Sequence, residues 1–278
     1  MKVHKTSFFS LVILMIASVT AQGAQLASAK VVDVVGTVTK YSADGSQSPL
    51  KVGDLLKEGD SISVTALSEA DLVFSNGSEL TIEENTSVNI ATLQQEPFSG
   101  NQSYEQLQAD PSKSQTLLEL NYGKLSGHVK ELRSDSKFHV ETPLGTAAIR
   151  GTQWSALLIY NAEREEFLLV VKNLDGLVDI ISRYLGTIEY GEGNIGDKGY
   201  DSSIDEQTRE LIPQDHTVVL RLRKSDPYFD DLLQIIKNYA PTGPKPVITP
   251  GPGPGPGPGD PEDDDFGIIV VSPEGQQN

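Results

Sequence analysis

Few side chains in this chain are spaced for chemistry. His128, His139 and His216 are scattered, and no two of them stand at metal-ligand spacing. Glu83-Glu84 and Glu165-Glu166 are carboxylate pairs, but neighbours on a strand point to opposite faces and do not converge. Asp197, Asp201 and Asp205, with Gly193, Gly196 and Gly199, make an oxygen-rich loop of the kind calcium uses. Their spacing lacks the order of an EF-hand, so a solvated loop is the plainer reading. Cysteine is absent, which excludes disulfides, thiolate metal sites, cysteine nucleophiles and a lipid anchor on cysteine. No nucleophile–base set stands out, so no enzyme, no cofactor and no metal is expected. The run from Thr142 to Trp154 (TPLGTAAIRGTQW) is denser in informative residues. Pro143 ends a strand by removing a backbone donor, and Gly145 allows a turn. Gly151 permits positive φ or a close backbone approach. Arg150 offers five donors in a fixed fork, either to loop carbonyls and a carboxylate or to an anionic ligand. Trp154 serves either as core or as a platform for a sugar.

The elements that must position this run are strands. Residues 31–38, 61–64, 70–74, 79–82 and 87–90 each approximate the period-two alternation of a strand with one buried face. Turn residues separate them: Asp44-Gly45, Gly53-Asp54, Gly59-Asp60 and Asn76-Gly77, the last a hairpin signal. Residues 94–115 are polar, hold Pro97 and Pro111, and read as a surface loop with one helical turn. Strands resume at 117–120, 124–129, 138–141, 147–149, 154–159, 167–171 and 177–181. After a polar stretch over 186–215 comes a closing strand at 218–222. Residues 226–239 read as a helix capped by Asp226, with Pro227 at its first position and Phe229, Leu232, Leu233 and Ile236 on one apolar face. The fold expected is all-β, an antiparallel β-sandwich with a short C-terminal helix.

The ends are different in kind. Lys2 and Lys5, an apolar run over 8–19 and small residues beyond it read as a secretory signal peptide within 1–29. Cleavage fits after Ala21, with Ala24 or Ala29 as alternatives. The apolar run is shorter than the about 20 residues of a membrane-spanning helix. Residues 241–278 are a Pro-Gly linker, an acidic cluster over 260–265 and the apolar hexamer 266–271. The Pro-Gly alternation builds no core and acts as an extended spacer in a disordered tail. The hexamer could add as an edge strand to its own domain or to a partner, or be a loosely packed remnant. The domain plan is 1–29 signal peptide, 30–223 β domain, 224–240 helix and 241–278 tail.

The motif resembles the T-P-x-G…R-G-T-x-aromatic signature of the FecR domain. Two further blocks carry the resemblance. The first holds Gly36-Thr37-Val38, Gly53-Asp54, Gly59-Asp60 and 68–78; the second holds 118–125, 138–143 and 175–180. The resemblance covers roughly 31–222. It implies a jelly-roll-like sandwich and a non-enzymatic, extracytoplasmic sensing or binding module. FecR-type regulators also have an anti-sigma segment and one membrane helix. Here about seven residues precede the apolar run, so the expectation is a stand-alone exported form. The ligand-contacting candidates that the motif implies are Thr142, Gly145, Arg150, Gly151, Thr152 and Trp154. Net charge is -17, which sets aside nucleic acid and anionic membranes as partners and leaves an envelope protein, a small ligand or a glycan. Periplasmic or secreted localisation follows from the leader. A structural or scaffold role in the cell envelope, using the extended tail, is the alternative.

Overall fold

The structure is a computed structural model that describes residues 27–98, 102–182, 187–190, 209–212, 214–226, 228–239, 247–250 and 268–271. The leader, the Asp/Gly loop, the Pro-Gly spacer and the acidic cluster lie outside the described residues. In chain order the strands are β1 (Ala29–Val35), β2 (Val38–Tyr41), β3 (Gln47–Pro49), β4 (Leu55–Leu56), β5 (Ser61–Val64), β6 (Glu69–Phe74), β7 (Glu79–Ile82), β8 (Thr86–Gln95) and β9 (Ser114–Val129). Then follow β10 (Lys137–Glu141), β11 (Gly145–Arg150), β12 (Thr152–Asn161), β13 (Glu166–Asn173), β14 (Leu177–Ser182), β15 (Thr187–Tyr190), β16 (Arg209–Ile212) and β17 (His216–Arg223). Helix α1 (Phe229–Tyr239) and the strands β18 (Val247–Pro250) and β19 (Ile268–Val271) close the chain.

β1 to β17 form one continuous hydrogen-bonded sheet folded on itself at β9. One layer runs β4-β1-β6-β7-β9-β12-β13-β17-β15, the other β3-β2-β5-β8-β9-β10-β11-β14-β16. The first half of β9 pairs with β8 and β10, the second half with β7 and β12. The alternation suggests two strands here, 117–120 and 124–129. The structure has one, 16 residues long, that turns the corner between layers. Gly123 makes the corner, at φ +92° with Thr86 and the Asn85 carbonyl packed where a Cβ would sit. Within the otherwise antiparallel sheet, β9 and β10 run parallel.

The two layers face each other across a single core. Phe74 on one packs edge-on against Phe138 on the other, with ring centroids 5.5 Å apart, and Phe138 in turn meets Trp154 at 6.2 Å. Such inter-layer aromatic contacts favour this face-to-face arrangement by about 0.5–1.5 kcal/mol each beyond area burial. Helix α1 covers one end of the core, where Phe229 meets Phe167 at 5.1 Å and Tyr160 at 6.1 Å.

Local turn chemistry accounts for most boundaries. The opening strand breaks at Gly36, at φ +73° and packed on Ser68, so residues 31–38 form parts of two strands in opposite layers. The Gly-Asp repeats make the same closure twice: Asp54 accepts from the Lys51 amide at 3.0 Å and Asp60 from the Lys57 amide at 2.9 Å. The hairpin at Asn76-Gly77 has a three-residue connection, Gly77 alone at positive φ and Asn76 accepting from the Ser78 amide at 3.0 Å. Helix α1 begins at Phe229, three residues after the expected cap. Asp226 is used instead to close the turn after β17, accepting from the Arg223 amide at 2.8 Å, and Tyr228 takes φ +72°.

Candidate functional site

The run 142–154 spans the end of β10, all of β11 and the start of β12. Thr142 is buried and closes the β10–β11 turn. Its hydroxyl donates to the Gly145 carbonyl at 2.8 Å and accepts from the Leu144 and Gly145 amides at 3.2 and 3.1 Å. Gly145 starts β11 opposite Ser182 and is itself buried. Gly151 sits at φ +57°, where the chain leaves one layer for the other, and the Gly176 turn packs on its carbonyl. Thr152, 1% exposed, lies with its hydroxyl 2.9 Å from Asn173 Oδ1 and 2.9 Å from the Gln153 carbonyl. Asn173 is fully buried, and its amide group donates to the Ile212 carbonyl at 2.9 Å and to the Gly176 carbonyl at 3.2 Å. One asparagine thereby ties β13, the turn before β14, the end of β16 and the start of β12 together.

Asn173 was not among the residues the motif implies. Its signal was available in the alternation Phe167, Leu169, Val171, Asn173: a polar side chain on the apolar face of a strand must find buried partners.

Trp154 is 1% exposed and lies among Phe138 and its neighbours, so its ring offers no face to a sugar. Of the two readings of Trp154, core or sugar platform, the structure places it in the core. Its Nε1 has no hydrogen-bond partner among the described residues.

Arg150 is different. It ends β11 with its side chain exposed, and Nη2 donates to the Ser134 carbonyl at 3.2 Å. Leu177 stands opposite it in the β11–β14 ladder and is 52% exposed; Leu174 on the same turn is 37% exposed. Beside them Arg133 and Asp135 form an exposed ion pair at 3.4 Å. The motif thus builds a corner whose interior is a hydrogen-bonded knot and whose surface presents the Arg150 guanidinium beside two leucines and the Arg133–Asp135 pair. Of the six candidates, Thr142, Gly145, Thr152 and Trp154 lie inside and Gly151 is half-buried; Arg150 alone is exposed. Neither of two cavities among the described residues, one beside Arg221 and one beside Gln95, is lined by them.

Residues 60–178 match the FecR protein family. The chain carries a FecR domain. The match contains the whole corner, from Thr142 through Trp154 to Leu177. FecR is a regulatory family and not an enzymatic one. Two crystal structures of a candidate anti-sigma factor from Parabacteroides distasonis, at 1.65 and 2.50 Å, are similar at 13% identity with a TM-score of 0.32. They cover 63% of this chain, and this chain covers 64% of theirs, less than two thirds of that protein's length. Among curated proteins none matches. No helix among the described residues is long and apolar enough to cross a membrane.

Proposed function

We propose that this FecR domain is an extracytoplasmic, non-enzymatic sensing module that works by contact with an envelope protein through the Arg150 corner. The observation that carries the reading is the division of labour within one motif. Its buried members are used up by the fold, whereas Arg150, Leu174 and Leu177 remain at the surface on a rigid support. Arginine is enriched at the centres of protein interfaces, and Leu174 and Leu177 add exposed apolar area beside it. Extracytoplasmic placement rests on Lys2, Lys5 and the apolar run that follows them.

A photo-crosslinking residue at Leu177, introduced in the native host, tests both parts. The reading expects one adduct of defined mass in the envelope fraction, lost in Arg150→Ala. A cytoplasmic protein, or a set of adducts indifferent to Arg150, would overturn it.

A further inference from the structure

The layer containing β12, β13 and β17 has a second surface of a different character. Along β12 the inward side chains Trp154, Ala156 and Leu158 belong to the core. The alternate residues point outward, and the register brings them into rows: Leu157 beside Val170 beside Val219, then Ile159 beside Leu168 beside Arg221, then Asn161 beside Glu166 beside Arg223. The first two rows hold five aliphatic side chains, half-buried and outside the core. The last row borders an open cavity of about 870 Å³ lined by Arg164, Arg221, Arg223 and Lys224 together with Glu165, Glu166 and Ser225. Glu166 is held by Arg221 at 3.1 Å and approached by Arg164 at 3.9 Å; Glu165 pairs with Lys224 at 2.5 Å. Four cations and two carboxylates line it, with the Asp226 carboxylate on the Arg223 amide beside them, so this end is net positive in a chain of net charge -17. The face is therefore apolar in its middle and basic at one end.

The C-terminal segment has the complementary order. Asp260, Glu262, Asp263, Asp264 and Asp265 are followed directly by Phe266, Gly267 and the aliphatic run Ile268-Ile269-Val270-Val271. At about 3.3 Å per residue, alternate side chains of an extended strand stand ~7 Å apart, the spacing of the two apolar rows at Leu157 and Ile159. The strands around the linker lead to β12, the first strand of this face. β19 pairs with β18, and β18 lies against β12. β12 is bonded to β9 as far as Leu158 and to β13 through Asn161, and its inner side is packed in the core.

We propose that residues 260–271 dock in cis on the outer face of β12, β13 and β17, with the aliphatic run on the apolar rows and the acidic cluster at the basic end. Burying the aliphatic run supplies the affinity, and the charges set its direction along the strands. The tail then shields an apolar face from solvent, and a partner that takes the tail exposes that face.

The chain has no cysteine, so Ser272→Cys places a single spin label beside the aliphatic run without other changes. In the isotopically labelled full chain, docking broadens the amides of 157–159 and 168–170 selectively. Ile269→Asp relieves the broadening, and so, in part, does 1 M salt, where the screening length falls to about 3 Å. Broadening spread evenly over the surface, or unchanged by Ile269→Asp, would overturn the proposal. So would broadening that appears only when label and isotope are carried on different molecules, which means docking between two copies. Ile269 lies outside the β domain, so loss of the fold does not confuse the result.

Discussion

Replacing Asn173 with Ala should be a severely damaging change at the FecR corner, although Asn173 touches no surface. The side chain makes three hydrogen bonds: to Thr152 Oγ1 at 2.9 Å, to the Ile212 carbonyl at 2.9 Å and to the Gly176 carbonyl at 3.2 Å. The first two are buried and the third partly so. Truncation takes the side-chain donor from the Ile212 and Gly176 carbonyls and one of two acceptors from Thr152 Oγ1, which keeps the Gln153 carbonyl; at about 1–3 kcal/mol for each buried group the expected loss is ~4 kcal/mol. That is a large part of the roughly 5–15 kcal/mol that holds a domain together. For a domain of this size it corresponds to a fall in Tm of about 8–16 °C. Thr152→Val removes one hydroxyl and should cost about 1–2 kcal/mol. Because the two residues share a bond, the double variant should be less damaged than the sum, by about 1 kcal/mol. Denaturant midpoints at constant slope read all three values. A cost below about 1 kcal/mol for Asn173→Ala, or strict additivity with Thr152→Val, would refute the knot.

Three further outcomes are expected. Gly123→Ala should destabilise by about 2 kcal/mol or more, since φ +92° and the contact with Thr86 both oppose a Cβ at the corner of β9; an unchanged denaturation midpoint would show that the corner relaxes freely. The hydrogen bond from Lys30, at 2.6 Å, holds the Glu105 carboxyl down at about 2, below its ordinary 4.5. A depressed carboxylate contributes stability above its unfolded value and loses it as pH falls, so this contact weakens between about 4.5 and 2. NMR titration should show Lys30→Met returning Glu105 toward 4.5, and no movement would remove the pairing. Export should leave a mature N-terminus at Gln22 or Gln25, read by intact mass. Cleavage after Ala29 would remove Ala27 and Ala29, both buried in the core, and the Ser28 carbonyl that accepts from the Ser75 amide at 2.8 Å.

Much of this architecture is legible in the sequence, because its signals are local. Period-two alternation marks the strands, and the Gly-Asp repeats and Asn76-Gly77 mark turns whose geometry depends on the residues themselves. What is not legible depends on contacts far along the chain. Nothing near Gly123 says that 117–120 and 124–129 are one strand; that follows from which strands pair with each half. The parallel β9–β10 pair is likewise set by the connection, since alternation carries no direction. Asp226 reads as a helix cap because it precedes Pro227, yet the end of β17 claims its carboxylate first. At the motif, residue types foretell the turn at Thr142 and the positive φ of Gly151. They do not separate exposed Arg150 from buried Trp154, because an inward or outward position is fixed by register and by the opposing layer.

The most direct test of the corner as a contact surface is Arg150→Ala. The guanidinium is exposed and makes one bond to a carbonyl at 3.2 Å, so its loss should change stability by no more than about 1 kcal/mol. The same variant should lose the adduct formed from a crosslinker at Leu177. A folded Arg150→Ala protein that keeps the full adduct yield would contradict the account.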